Sequence, residues 1–392
     1  MLALVLSTIG GVGMWSVVVA LPAVQAEFGV ARAAASLAYT LTMLGFGAGT
    51  VALGRMTDRF GVLPPVVIGT ICLTLGYSAA ASASTLWQYS IAHGFIGFGS
   101  SATFSPLLAD TSHWFARRRG ISLAIIASGN YLAGTLWPSV VQHFIETSGW
   151  RQTFIGIAIF CAATMLPLVL ALRRRAPGHG AATAATHETA MRNRPLGLSP
   201  QMLQNLLIVA GVCCCVAMSM PQVHLVAYCG DLGYGAARGA QMLSLLLACG
   251  IVSRLVFGWV SDRVGGLRTL LIGSSLQCFA LFLFLPFNGL ASLYVISALF
   301  GLFQGGIVPS YAMIIREYFS PKEAGARIGI VLTATMLGMA LGGWMSGVIF
   351  DLTGSYRMAF LNGIAWNLVN MAIALILLGR SRRGQVRAPA GA

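Results

Sequence analysis

Long apolar runs, each broken by glycine, proline or charge, alternate along the chain with short polar gaps. The runs predict twelve helices. Six cover 3–24, 33–54, 64–83, 86–110, 118–142 and 152–172. Six more cover 201–229, 236–258, 267–286, 291–316, 322–350 and 357–379. Each is close to the roughly 20 residues that cross a bilayer. The first run ends near Val24-Gln25-Ala26, which resembles a cleavage site. No basic residue precedes it, and it is too long for a signal-peptide core, so it reads as a span. The polar stretch 173–200 contains Gly178-His179-Gly180-Ala181-Ala182-Thr183-Ala184-Ala185-Thr186 and reads as a flexible linker. The expected organisation is a six-helix bundle at 1–172, a linker at 173–200, a second bundle at 201–380 and a tail at 381–392.

Composition fits this pattern. The chain has 392 residues, of which 57% are apolar and only 9% charged; soluble domains carry about 25% charged residues. Mean hydropathy is +0.80. Such a chain cannot cover a water-facing surface, which excludes a soluble enzyme, a coiled coil and a disordered scaffold. Twelve spans take about 240 to 280 residues, which leaves only short loops. The expected class is an all-α membrane protein.

The net charge of +14 comes from 23 arginines and a single lysine, Lys322. They sit in short gaps between spans, so nucleic acid is not the expected partner. Alternate gaps hold 19 of them, beginning with Arg55 and Arg59, and the other gaps hold Arg32, Arg151, Arg238 and Arg357. That imbalance predicts that the arginine-rich loops and both termini face the cytoplasm, as in an inner-membrane protein. The eight cysteines lie in or beside apolar runs without metal-ligand spacing and read as core residues. No cofactor or metal is expected, and no nucleophile–base pair points to an enzyme.

The two halves repeat. Gly54-Arg55-Met56-Thr57-Asp58-Arg59-Phe60-Gly61 and Gly258-Trp259-Val260-Ser261-Asp262-Arg263-Val264-Gly265 share G-x-x-x-D-R-x-G, 204 residues apart. Trp114-Phe115 and Tyr318-Phe319 repeat at the same offset, and Gly149-Trp150-Arg151 has its echo in Ser355-Tyr356-Arg357. On these motifs the chain resembles the major facilitator superfamily over 1–380. The resemblance implies two pseudo-symmetric six-helix bundles that rock about a central cavity. In that reading Asp58, Arg59, Asp262 and Arg263 are gating residues. Asp58 can accept from the N-terminal end of the eleventh helix, where Ser320-Pro321-Lys322-Glu323 reads as a capped start.

A narrower resemblance follows from Trp114-Phe115-Ala116-Arg117-Arg118-Arg119 at the entry to the fifth span, Gly149-Trp150-Arg151 at the sixth and Met220-Pro221-Gln222-Val223-His224 in the seventh. It is similar to the monocarboxylate transporters and the oxalate–formate exchangers. Arg254 stands at the spacing of that branch's substrate-binding arginine in the eighth span. A charge inside a span is costly and marks function, and its planar fork matches a carboxylate. Gly250, Arg254, Gly258 and Asp262 share one helix stripe, so Arg254 could instead pair with Asp262 or reach the cytoplasm.

The chain also departs from the branch. Gly250 replaces the acidic or amide residue often found one turn earlier, the first span has no lysine, and 333–350 has no cation. One deep cation favours a monocarboxylate over a dicarboxylate. Other candidate cavity residues are Tyr39, Ser100, Ser101, Asn130, Tyr131, His224, Tyr228, Gln304 and Tyr311. His93 and His224 are the candidates for proton coupling, as in symport. The expected function is transport of small organic anions by a chain that works as a monomer in the lipid bilayer. The alternative is an exporter of drugs or lipophilic compounds; a transporter-like sensor is a third reading, without an added domain to support it.

Overall fold

The structure, a computed structural model, describes residues 1–114, 125–171 and 196–386. The arginine run 117–119, most of the expected linker and the end of the tail lie outside these residues. Among the described residues, the helices before residue 172 include α1 (Leu2–Gly10), α2 (Val12–Phe28), α3 (Arg32–Phe60), α4 (Leu63–Ala81), α5 (Leu86–Ser101), α6 (Ser105–Trp114) and α7 (Gly129–Ala171). Seven follow residue 195: α8 (Pro200–Asp231), α9 (Ala236–Val264), α10 (Gly266–Leu283), α11 (Leu290–Gln304), α12 (Ile307–Tyr318), α13 (Pro321–Thr353) and α14 (Tyr356–Val386). No strand occurs among the described residues.

Local chemistry sets several ends. Thr85 and Ser199 cap α5 and α8 by accepting from the Gln88 and Met202 amides at 3.3 and 3.2 Å. The repeated motif is helical to its last residue but one, and its glycines, Gly61 (φ 83°) and Gly265 (φ 84°), stop α3 and α9 alike. Inside α7 the backbone leaves helical geometry at Gly149 (φ 78°, ψ 158°), a region that essentially only glycine enters. The long helix therefore breaks beside Trp150 and Arg151. Ser320 differs from its expected role. It sits at the cap position without a side-chain cap, and Glu323 reaches forward to Arg327 at 2.8 Å instead of back to the cap.

Among the described residues, ten stretches are long and apolar enough to cross a membrane. One of them, Ile125–Ala171, runs 47 residues through the break at Gly149. Three expected continuous helices are interrupted: at Gly11 between α1 and α2, at 102–104 between α5 and α6, and at Gly305-Gly306 between α11 and α12. The last two interruptions fall about one repeat offset apart. Side chains such as Leu75, Ile159 and Leu255 are exposed on the outside of the helices, as a lipid-facing surface requires.

The helices before residue 172 meet those after residue 195 mainly along two seams, with α2 touching α8 and α9 between them. In one, α3 packs on α13. Tyr39 lies against Gly343, Gly347 abuts Ala33 and Ser36, and the Thr40 hydroxyl donates to the Ala340 carbonyl at 3.1 Å. In the other, α7 packs on α9, with Ser139 and Ser244 hydroxyls 3.0 Å apart and Gly134 against Leu247. Small residues let these backbones approach, the usual source of helix affinity where lipid removes the hydrophobic drive. Among the described residues, hydrogen bonds between the two groups involve Arg32, Ala33, Thr40, Ser139 and Arg254. They favour the end of the molecule opposite Asp58 and Asp262. At their own end, Asp58 and Asp262 are exposed.

Candidate functional site

Arg254 lies in the α7–α9 seam. Its Nη1 donates to the Ala127 carbonyl at 3.2 Å, and its guanidinium stands over the Tyr131 ring, 4.4 Å from the centroid. Nε is buried without a partner. No carboxylate pairs with Arg254 among the described residues, so the alternative pairing with Asp262 is not made. Gly250 makes room for the Tyr131 ring. A methyl there would overlap the Tyr131 ring, so the missing side chain admits Tyr131 rather than empty space. The ring in turn forms the floor under the guanidinium.

The interruption between α11 and α12 reaches the same level. A methyl on Gly305 would meet the Gly250 carbonyl and Ser253. The preceding residue, Gln304, is fully buried; its Oε1 accepts from Gln222 at 2.8 Å, while its Nε2 has no partner. The Ser253 hydroxyl is also buried and unpartnered. Arg254 Nε, Ser253 Oγ and Gln304 Nε2 thus leave three buried groups able to donate and without a partner among the described residues. Unmade hydrogen bonds in a buried site are costly, and donors without acceptors fit an anionic guest.

The other expected residues spread wider. Asn130 is next to Tyr131, and its carbonyl accepts from the Trp15 indole at 3.3 Å. Tyr39 fills the α3–α13 seam. Ser100 donates to the Gly10 carbonyl at 2.9 Å, inside the first group of helices. Ser101 donates to the Phe98 carbonyl, and Tyr311 donates to Asn370 Oδ1 at 2.9 Å within the second group. His93 is fully buried among Tyr89 and Phe154, with Nδ1 on the Tyr89 carbonyl at 3.0 Å. The structure therefore brings Arg254 onto Tyr131, sets Gly305, which follows Gln304, against Gly250 and Ser253, and leaves Ser100 and His93 within a single bundle. In the repeated motif Arg59 stacks on Phe60, and Arg263 on Trp259 at 3.5 Å.

His224 and Tyr228 belong to a separate cluster near the opposite end. His224 Nδ1 is 2.9 Å from the Tyr356 hydroxyl and Nε2 is 2.7 Å from the Gly343 carbonyl. Tyr228 stands edge-on to Tyr356. Arg32 completes this cluster, although the sequence reading treats it as a loop charge. Its side chain is only 9% exposed and pairs with Asp231 through Nη1 and Nη2. The available signal was Asp231 itself, which sits one repeat offset after Glu27.

Comparison with known proteins places this geometry in context. The model of the Major Facilitator Superfamily matches residues 3–290 and again 242–391. Monocarboxylate transporter 13 of Bos taurus is 27% identical over 331 residues, which is 82% of this chain and 75% of that protein. The agnestins efflux protein AgnL12 of Paecilomyces divaricatus is 23% identical over 333 residues, covering 84% and 74%. A bacterial homolog to the human lysosomal transporter Spinster, solved in an inward-facing and occupied conformation, superposes with a TM-score of 0.76 at 12% identity, covering 100% of this chain and 98% of that one. With apolar helices long enough to span a bilayer, this chain is a multi-pass membrane transporter and belongs to the Major Facilitator Superfamily.

Proposed function

We propose that the protein moves small organic anions, monocarboxylates foremost, across the cell membrane by alternating access, with Arg254 holding the carboxylate. The observation that carries the reading is Arg254 itself: a guanidinium in a span, supported by a carbonyl and a ring face, with Nε unpartnered and no ion pair among the described residues. A carboxylate would satisfy the fork with two parallel hydrogen bonds. Gln304 Nε2 and Ser253 Oγ would supply further donors, and Asn130, Tyr39 and Tyr228 would line the route. The interruptions at Gly11, 102–104 and Gly305-Gly306 support this placement, since transporters use broken helices around midplane sites. The arginine asymmetry favours cytoplasmic termini, and a monomer is sufficient for two bundles joined by one linker. The similarity to a transporter named for monocarboxylates agrees with this substrate class.

The test is a thermal-shift screen of purified protein. The panel is lactate, pyruvate, branched and aromatic 2-oxo acids, oxalate, matched amides and lipophilic cations. A ligand at about 100 times its Kd stabilises a folded state by about 2.7 kcal/mol. The expected result is stabilisation by monocarboxylates that is lost in Arg254→Ala. Stabilisation by cations, or carboxylate shifts that survive the substitution, would support an exporter instead, a reading favoured by the similarity to an efflux protein.

A further inference from the structure

The two halves treat one repeated constellation differently. In the first, Glu27 at the end of α2 pairs with Arg151 and accepts from the Trp150 indole. All three come from the same group of helices. In the second, Asp231 stands one repeat offset after Glu27, and Tyr356-Arg357 echoes Trp150-Arg151. Arg357 is exposed and makes no ion pair among the described residues. Arg32 takes its place from the opposite half. It pairs with Asp231, donates to the Tyr356 hydroxyl at 2.9 Å and to Gln25 at 3.0 Å, and lies over the Phe350 ring at 4.2 Å. Asp351, at the end of α13, accepts from the Arg32 and Ala33 amides at 2.9 and 2.7 Å, so it caps α3 from across the seam.

We infer that this cluster is the gate at the end of the molecule opposite the arginine-rich loops, and that a proton taken by His224 releases it. The inference rests on the alternating-access part of the proposed function, not on Arg254 binding a carboxylate. The Arg32 side chain bridges halves that must separate at this end for a site to open there. Its bond to Tyr356 continues to His224. The Gly343 carbonyl can only accept, so His224 Nε2 carries the proton and Nδ1 accepts from the Tyr356 hydroxyl. The hydroxyl meanwhile accepts from Arg32. This chain of donors closes only with a neutral ring.

A proton on Nδ1 would leave two cationic groups, His224 and Arg32, both aimed at one hydroxyl oxygen. The charged and titratable groups facing His224 from neighbouring helices are Arg32 and Tyr39 from α3, Asp351 from α13 and Tyr356 from α14, with Asp231 and Tyr228 on its own helix. Asp231 is engaged by Arg32, and Asp351 by the start of α3. Neither acid forms an ion pair with the ring, so among the described residues the charged ring has no direct counter-ion in the closed cluster.

Ser36 reports on the gate. It is fully buried where α3 meets Gly347, so a cysteine there is shielded when the seam is closed. The experiment uses Ser36→Cys in intact cells, with a membrane-impermeant thiol reagent added outside and the chain without this substitution as control for the eight native cysteines. The expected labelling is slow at pH about 8 and faster toward pH about 5. In Arg32→Gln and Asp231→Asn it rises severalfold, because either change removes the ion pair that joins the buried Arg32 guanidinium to the exposed Asp231 carboxylate. The exchange Arg32→Asp with Asp231→Arg brings it back toward the slow rate. His224→Gln removes the acceleration at low pH. Should a charge variant fail to reach the membrane, Tyr356→Phe breaks the same chain with the pair intact, and acceleration is expected there too. Unchanged labelling in the lock variants overturns the gate, and acid acceleration that persists in His224→Gln overturns the role of the proton. Neither readout depends on a substrate, so the carboxylate reading stands or falls separately.

Discussion

Arg254 and Tyr131 act as one unit because Gly250 has no side chain. The ring enters the space where a methyl would stand and presents its face to the guanidinium. Gly250→Ala is therefore expected to overpack the seam and to destabilise the protein by about 1–3 kcal/mol. Adding Tyr131→Ala should recover part of that loss, because the two changes share one contact. Thermal unfolding of both single variants and the double variant checks this; additive losses would mean the ring does not fill the glycine's space. Tyr131→Ala alone should also weaken the carboxylate-dependent thermal shift, since the guanidinium loses its support.

Among the helices, α7 depends most visibly on one residue. Its break at Gly149 turns the chain so that Trp150 and Arg151 reach Glu27, with Arg151 also donating to the Ala81 carbonyl at 2.7 Å. Gly149→Ala should cost about 1–3 kcal/mol, because an alanine is strained in that conformation. A circular-dichroism melt reads the loss, and an unchanged midpoint would mean that the turn relaxes freely. Most helices were legible in the sequence, because a span needs only length and apolarity. The interruptions at Gly11, 102–104 and Gly305-Gly306 were not, since glycine in an apolar run also serves simple close packing. Gln304 was legible as a polar residue in a span, but its partner Gln222 comes from α8, 82 positions away, and is brought to it only by the tertiary structure.

At the scale of the molecule, the two ends differ. One is joined by Arg32, Asp231 and Asp351; at the other, Asp58 and Asp262 are exposed. Alternating access requires the joined end to open while the Asp58 end closes. In that state Asp58 would meet the start of α13, as Asp351 meets the start of α3 here. Asp58→Asn is then expected to slow uptake into proteoliposomes by about tenfold while leaving ligand-induced thermal stabilisation in place. Equal losses of binding and transport would place Asp58 outside the gate.

The sequence alone determined the membrane class, most of the helices, the repeated motif and an arginine within an apolar run. Each follows from composition or short-range spacing, which the bilayer and the helix period translate directly into structure. The tertiary structure decided what those residues touch. Arg32 and Arg151 look alike as charges beside short loops. One pairs within its own half and the other crosses to the opposite half, because the choice depends on which helix ends meet, and residues some 200 or 320 positions apart meet only through packing.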